Sequence, residues 1–281
     1  MSGKSKISRR FKFLWAVLKK FDGDHGFFLS AGITFNLIIC LIPLSLLLLS
    51  LVGTYLYSDK EVLTHIRRYL EGVAPALDPR IMKNLLGIIQ SRKIAGLLGI
   101  IGLIWTSTWV FSSLRTAFNI IFQVKKGRGI FHGKAIDLLM IGLAGISHLA
   151  SMGLTSLMTY TQRYQFKSPL DLGPIFGLLL KYLLPFLFTF WMFFLIYKII
   201  PSRKIHYRTA LQTAFFISLF WEIAKQLFGW YVFNIGRFSM VYGSLSALII
   251  FFLWVYYSSV IVLLGGETVL LLEKGREKGN G

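Results

Sequence analysis

Apolar residues fall in six long runs along the chain, and the polar positions gather between the runs rather than alternating with them. The runs cover 30–57, 94–112, 135–160, 174–200, 207–233 and 242–272. Each approaches or exceeds the roughly 20 residues that an α-helix needs to cross the hydrocarbon core of a bilayer. The second is expected to continue as helix to Phe122, and the third is the weakest and rich in Gly. Ahead of the first run, Ile7 to Phe21 mixes Lys and Arg with Phe, Leu and Trp. That predicts a basic amphipathic helix lying on a membrane face; a solvated basic tail is the plainer alternative. No signal sequence is expected, because the short run Phe13–Leu18 is interrupted by Lys19 and Lys20. Between the first two runs, "EVLTHIRRYLEGV" and "PRIMKNLLGIIQ" show helical apolar spacing, which predicts two short helices broken around "APALDP". The pattern as a whole predicts an all-α, polytopic membrane protein of about six transmembrane helices. Residues 1–29 form its basic amphipathic segment, 58–93 a helical outer loop and 273–281 a tail.

Composition agrees: 55% of the 281 residues are apolar and 15% are charged, with a mean hydropathy of +0.63. The net charge of +19 would suggest a nucleic-acid surface in a soluble protein. Here the basic residues are dispersed among loops, so membrane lipids are the expected partner and nucleic acid is not. The segments 1–29, 113–134, 198–208 and 273–281 hold 19 of the 31 Lys and Arg; those on the opposite side hold 10. The positive-inside rule therefore predicts both termini in the cytoplasm. The loop 58–93 runs against this, with seven basic residues on the outer side. The one cysteine, Cys40, lies in an apolar run and reads as a small buried hydrophobe.

The chain has no Walker-type phosphate loop, no CxxC and no HExxH, and its five histidines are scattered. No cofactor, metal site or catalytic group is expected, and the chain does not read as an enzyme. The candidate chemistry is intramembrane polarity. Glu222 and Lys225 interrupt "SLFWEIAKQLFGWYVF" in the fifth run. On insertion scales a central charge costs about 2.5–3.5 kcal/mol. Spacing i, i+3 lets the two share one helical face and pair. Ala214, Ser218, Glu222, Lys225 and Gly229 form a small-and-polar stripe expected to pack inward. The stripe reads either as a substrate- or proton-handling site or as a structural ion pair locking helices together.

Weaker candidates follow. Arg115 and Asn119, at i, i+4, are expected at the cytoplasmic interface, as anchors or as part of the site. Asn36 and Pro43 in the first run, and Lys181 and Pro185 in the fourth, mark helix kinks or a cavity-lining break; Lys181 can also snorkel to the outer interface. Glu267 follows Gly265 and Gly266 late in the sixth run, within expected reach of Arg115 or Arg208. Tyr256, Tyr257, Ser258 and Ser259 give that run a polar middle suited to interhelical hydrogen bonds.

Several spaced blocks resemble one known family. "AGITFNLIICLIPLSLLLLSL", "IWTSTWVFSSLRTAFNIIFQV", "LPFLFTFWMFFLIYKIIPSRKIHYRTAL", "FWEIAKQLFGWYV" and "VYGSLSALIIFFLWVYYSSVIVLLGGE" are similar, in that order, to blocks of the YihY/BrkB family of bacterial inner-membrane proteins. The resemblance covers roughly residues 20–273. Gly266 departs from it, standing where Ala is expected. Trp221-Glu222…Lys225 and Glu267 match the family's polar positions. Members have been labelled ribonuclease BN, virulence or serum-resistance factor, and transporter. A nuclease finds no support in these residues, which assemble no metal site or activated water. The resemblance implies a protein of the bacterial cytoplasmic membrane. The leading expectation is a transporter or flippase-like handler of an envelope lipid or anionic amphiphile. The alternatives are a non-transporting envelope scaffold and an intramembrane enzyme. A homo-oligomer is compatible with each.

Overall fold

The computed structural model describes residues 2–56, 91–163, 183–234 and 245–279. Among them the chain is α-helical with short connections: α1 (Ser2–Gly23), α2 (Gly26–Ile39), α3 (Leu41–Leu56), α4 (Arg92–Ile121), α5 (Ile130–Arg163), α6 (Leu184–Ile199), α7 (Tyr207–Asn234) and α8 (Leu245–Gly279). The all-α expectation holds. Three stretches are both long and apolar enough to cross a bilayer: Gly26–Leu51, Lys93–Ile121 and Ser246–Lys278. α6 is equally apolar but has 16 residues. The expected third and fifth spans coincide with α5 and α7, of 34 and 28 residues, which are long enough to cross but more polar. The two short helices expected within 58–93 lie outside the described residues.

The first span is broken. Pro43 has no N–H, so the Ile39 carbonyl loses its i+4 donor. The helix stops at Ile39 and restarts at Leu41. The Cys40 N–H still donates to Asn36 O at 3.3 Å, and the Leu44 N–H to Cys40 O at 3.2 Å. Cys40 keeps near-helical dihedrals, φ −62° and ψ −19°, so what stands beside Pro43 is a one-residue interruption of the helix, with the Asn36 carbonyl accepting from Cys40. α3 then packs along α4 through small residues that let the backbones approach. A Cβ on Gly96 would meet Ser50 Oγ at 2.5 Å, one on Gly99 the Leu47 backbone N at 2.9 Å, and one on Gly102 the Pro43 ring at 3.0 Å.

α4 ends in a Schellman arrangement. Gln123 takes a left-handed φ of 52°, its N–H donates to Ile120 O, and the Val124 N–H donates to Asn119 O at 2.9 Å. This turns the chain sharply into the basic connection to α5.

α8 is the axis of the bundle, touching α1, α2, α4, α6 and α7. The packed core lies at one end of it. Leu114–Phe122 of α4, Phe193–Ile200 of α6, Ala210–Ile217 of α7 and Ile261–Leu270 of α8 supply most of the buried side chains, joined by Phe21, Ile33 and Met140. Tyr197 and Phe118 are fully buried at its centre. They meet edge to face at 6.1 Å, over the backbone of Gly265 and Gly266. Towards the other end the described helices turn large apolar side chains outward, including Leu97, Ile101, Trp105, Leu227 and Trp230, as a surface bathed in lipid requires.

Candidate functional site

On α7 the two expected charges pair. Lys225 Nζ lies 2.7 Å from Glu222 Oε2 and 2.8 Å from Oε1. The stripe that carries them is not buried along its whole length, however. Ala210, Ala214 and Ser218 are fully buried, and the Ser218 hydroxyl donates to Ala214 O at 2.7 Å. Beyond Ser218 the stripe surfaces: the side chains of Glu222 and Lys225 are 26% and 44% exposed. The expectation of one inward-facing polar stripe is corrected here. The first half of α7 lies in the core between α6 and α8; beyond Ser218 the helix keeps contact on one side, where Trp221 and Phe228 pack on Trp254 of α8, and the charged face turns outward. The aromatic face behaves as expected, with Phe216, Leu219, Phe220, Leu227 and Trp230 all exposed.

Trp221 joins this pair to the interior. It packs edge to face on Phe193 of α6 at 5.7 Å and against Trp254 of α8 at 5.3 Å. Its ring also walls a cavity of about 400 Å³ between α5, α6, α7 and α8. Met192, Phe193 and Val262 give it apolar walls, and Ser147 and Thr189 add two hydroxyls. The cavity borders Trp221, one residue from Glu222, but the charged atoms of Glu222 and Lys225 do not line it.

The remaining polar residues build an ionic layer at the packed end. Arg115 is not a solvated interface anchor. Its side chain, 13% exposed, lies 2.5 Å from Asp137 Oδ1 and donates to Gly133 O and to Ser112 Oγ at 3.3 Å. Gly133 leaves the room: a Cβ there would stand 2.8 Å from Arg115 Cζ. Asp137 is 1% exposed, with Lys134 at 4.0 Å. Asn119, one turn on from Arg115, keeps its Oδ1 buried without a hydrogen bond among the described residues. Arg128 donates to the Ile199 and Ile200 carbonyls at 2.9 and 3.3 Å, closing the C-terminal end of α6 where a cation is favoured. Burial, with the nearby Arg115 charge, lowers its pKa, although a guanidinium keeps its proton.

Glu267 is fully buried and meets neither expected partner. Arg115 belongs to Asp137, and Arg208 is exposed. Lys20 of α1 takes the position instead, 3.5 Å from Glu267 Oε2, and also pairs with Asp24. Neither Glu267 oxygen accepts a hydrogen bond among the described residues. Further along α8, Glu273 accepts from His206, with Nδ1 at 2.7 Å and the backbone N–H at 3.3 Å, and Glu277 pairs with Arg203. Thr34 and Ser259 bring their hydroxyls to 3.2 Å between α2 and α8, the interhelical contact expected of the polar middle. Pro43 is buried against α4, Asn36 is half-buried and Pro185 is exposed in the first turn of α6; Lys181 lies outside the described residues. The structure therefore does not draw the sequence candidates into one site. It separates an ion pair beside a cavity from an ionic layer at the packed end.

Asp137, Glu273, Lys20 and His206 are partners that sequence reasoning missed. A signal for Asp137 was present, because an acid in "KAIDLLM" carries the same desolvation cost that singled out Glu222. Lys20 carried no such signal; only the fold brings α1 to α8.

The family model described as Virulence factor BrkB matches residues 17–281. A UPF0761 membrane protein of Haemophilus influenzae is 23% identical over 257 residues, covering 91% of this chain and 93% of the relative. One from Chlorobium phaeobacteroides is 27% identical over 269 residues, covering 93% of this chain and 57% of that longer relative. A third, from Histophilus somni, is 25% identical, with 95% and 93% covered. No solved structure matches the chain. With residues 17–281 matched and relatives of the same kind aligned along nearly its whole length, the chain belongs to the YihY/BrkB family of membrane proteins.

Proposed function

We propose that the protein is a six-span protein of the bacterial cytoplasmic membrane that binds and translocates an envelope lipid or anionic amphiphile, without enzymatic chemistry. The observation carrying this reading is the apolar cavity of about 400 Å³ between α5, α6, α7 and α8. It is large enough for part of an acyl chain, and Trp221, which lines it, is four residues before the half-exposed Lys225 on the same helix. Lys225 would meet an anionic headgroup, and Glu222 would balance its charge when the site is empty. The ionic layer, rich in Lys and Arg, faces the cytoplasm together with both termini under the positive-inside rule.

The test is lipid scrambling in proteoliposomes with fluorescent phosphatidylglycerol. Wild type should exceed empty vesicles, and Lys225→Met and Val262→Trp, which fills the cavity, should each lower the rate about tenfold or more. Equal rates for wild type and Lys225→Met would remove Lys225 from the mechanism. Wild-type rates no faster than those of empty vesicles would sink the lipid reading.

The ionic layer supports a second reading, a non-transporting scaffold for the envelope. On that reading Glu222→Gln with Lys225→Met folds and complements a deletion strain. The double mutant is then less impaired than either single, because each single leaves a charge unpaired.

A further inference from the structure

The first helix presents two apolar faces, and the bundle covers one of them. Val17 and Phe21 are 5% and 2% exposed; α1 packs against α8 and α2, and Phe21 meets Phe27 edge to face at 5.0 Å. Phe11, Leu14, Trp15 and Leu18, spaced i, i+3, i+4, i+7, form a second stripe that is 51–70% exposed. Lys12 and Lys19 are also exposed, along its edge. Two residues separate α1 from α2, which opens the candidate span Gly26–Leu51. Phe27 and Phe28 are exposed at the mouth of that span. The stripe is thus tied within a few residues to the point where the chain enters the bilayer. An apolar stripe edged by lysines at that level matches the headgroup layer of an anionic membrane. A second α1 would bring like charges together.

The same helix reaches inward. Lys20 stands 3.5 Å from the fully buried Glu267, and neither Glu267 oxygen accepts a hydrogen bond among the described residues. The seating of α1 therefore sets whether this buried carboxylate has a counter-charge.

We propose that α1 docks on an anionic lipid surface through Phe11, Leu14, Trp15 and Leu18 with Lys12 and Lys19, and that this docking holds Lys20 on Glu267. The headgroup charge of the membrane is then read inside the bundle. This inference is independent of any transported substrate.

The full chain, with Cys40→Ala and a spin label at Leu14→Cys, is placed in nanodiscs of phosphatidylglycerol or of phosphatidylcholine. In the anionic discs the label should be relaxed by oxygen, and in the neutral discs by a water-soluble nickel chelate. Exposure to water in both, equal depth in both, or dipolar coupling between labels of two chains would each overturn the docking. For the inward link, unlabelled wild type should melt about 4–8 °C higher in the anionic discs, the shift that two lysine–surface contacts imply for a chain of this size. Lys12→Glu with Lys19→Glu should abolish that shift, and Lys20→Met, which keeps the surface contacts but breaks the inward pair, should leave it clearly smaller. A shift undiminished by Lys20→Met overturns the link. If Lys20→Met fails to fold, Glu267→Gln, which removes the charge that Lys20 serves, makes the same distinction.

Discussion

A Cβ on Gly265 would stand 1.8 Å from the Tyr197 hydroxyl oxygen and 2.4 Å from Cζ; one on Gly266 would stand 2.6 Å from Phe118 Cε1. Both rings are fully buried, and Tyr197 is further held by its hydroxyl donating to Val262 O at 3.1 Å. Neither can yield without disturbing the core. Gly265→Ala and Gly266→Ala should each destabilise the protein by about 1–3 kcal/mol, with Gly265→Ala the worse. Gly229→Ala, where nothing lies within 4 Å, should be neutral or stabilising by up to about 1 kcal/mol. Thermal unfolding in detergent ranks the three. The same geometry accounts for Gly266 where the family resemblance leads one to expect Ala. In this chain the space a methyl group would need holds the Phe118 ring.

Helices meet in this fold wherever side chains are small enough to let them. At Gly99 the neighbour is the Leu47 backbone N, 2.9 Å from a built Cβ; at Gly96 it is the Ser50 hydroxyl. A backbone cannot rotate away, whereas a hydroxyl can. Gly99→Ala should therefore separate α3 from α4 and cost about 1–3 kcal/mol, more than Gly96→Ala. A melting series on the two variants checks the order, and equal losses would contradict it. The identity of the helices was legible in the sequence, because long apolar runs admit little else. So was the break at Pro43, which follows from one missing N–H. The close approach at Gly96, Gly99 and Gly102 was not read from the sequence, because what a helical glycine packs against lies on another helix. Partners are set by tertiary placement. Glu222 and Lys225 are three residues apart, so their pairing could be read off the chain. Lys20 and Glu267 are brought together only by the packing of α1 on α8. The surfacing of the α7 stripe after Ser218 was likewise hidden, since it depends on where the neighbouring helices are packed against it.

Across the whole molecule, charge and packing coincide. Apart from Glu222–Lys225, every ion pair among the described residues joins groups at the end where the core is densest. Local opening should follow that gradient. Hydrogen exchange in nanodiscs is expected to be slowest over 114–122, 193–200, 210–218 and 261–270. Exchange should be at least about tenfold faster over 97–105 and 223–232 in the matching helices. Uniform protection along α4 and α7 would refute the gradient. A helix gripped on several sides over its first turns and on one side beyond them is a lever. α7 has 28 residues, and at 1.5 Å per residue it is about 42 Å long. The 16 residues beyond Ser218 extend about 24 Å, so a tilt of about 5° there carries the far tip through about 2 Å, and side-chain repacking of atomic size around Ser218 becomes a displacement of about half the width of a lipid tail at the opposite rim.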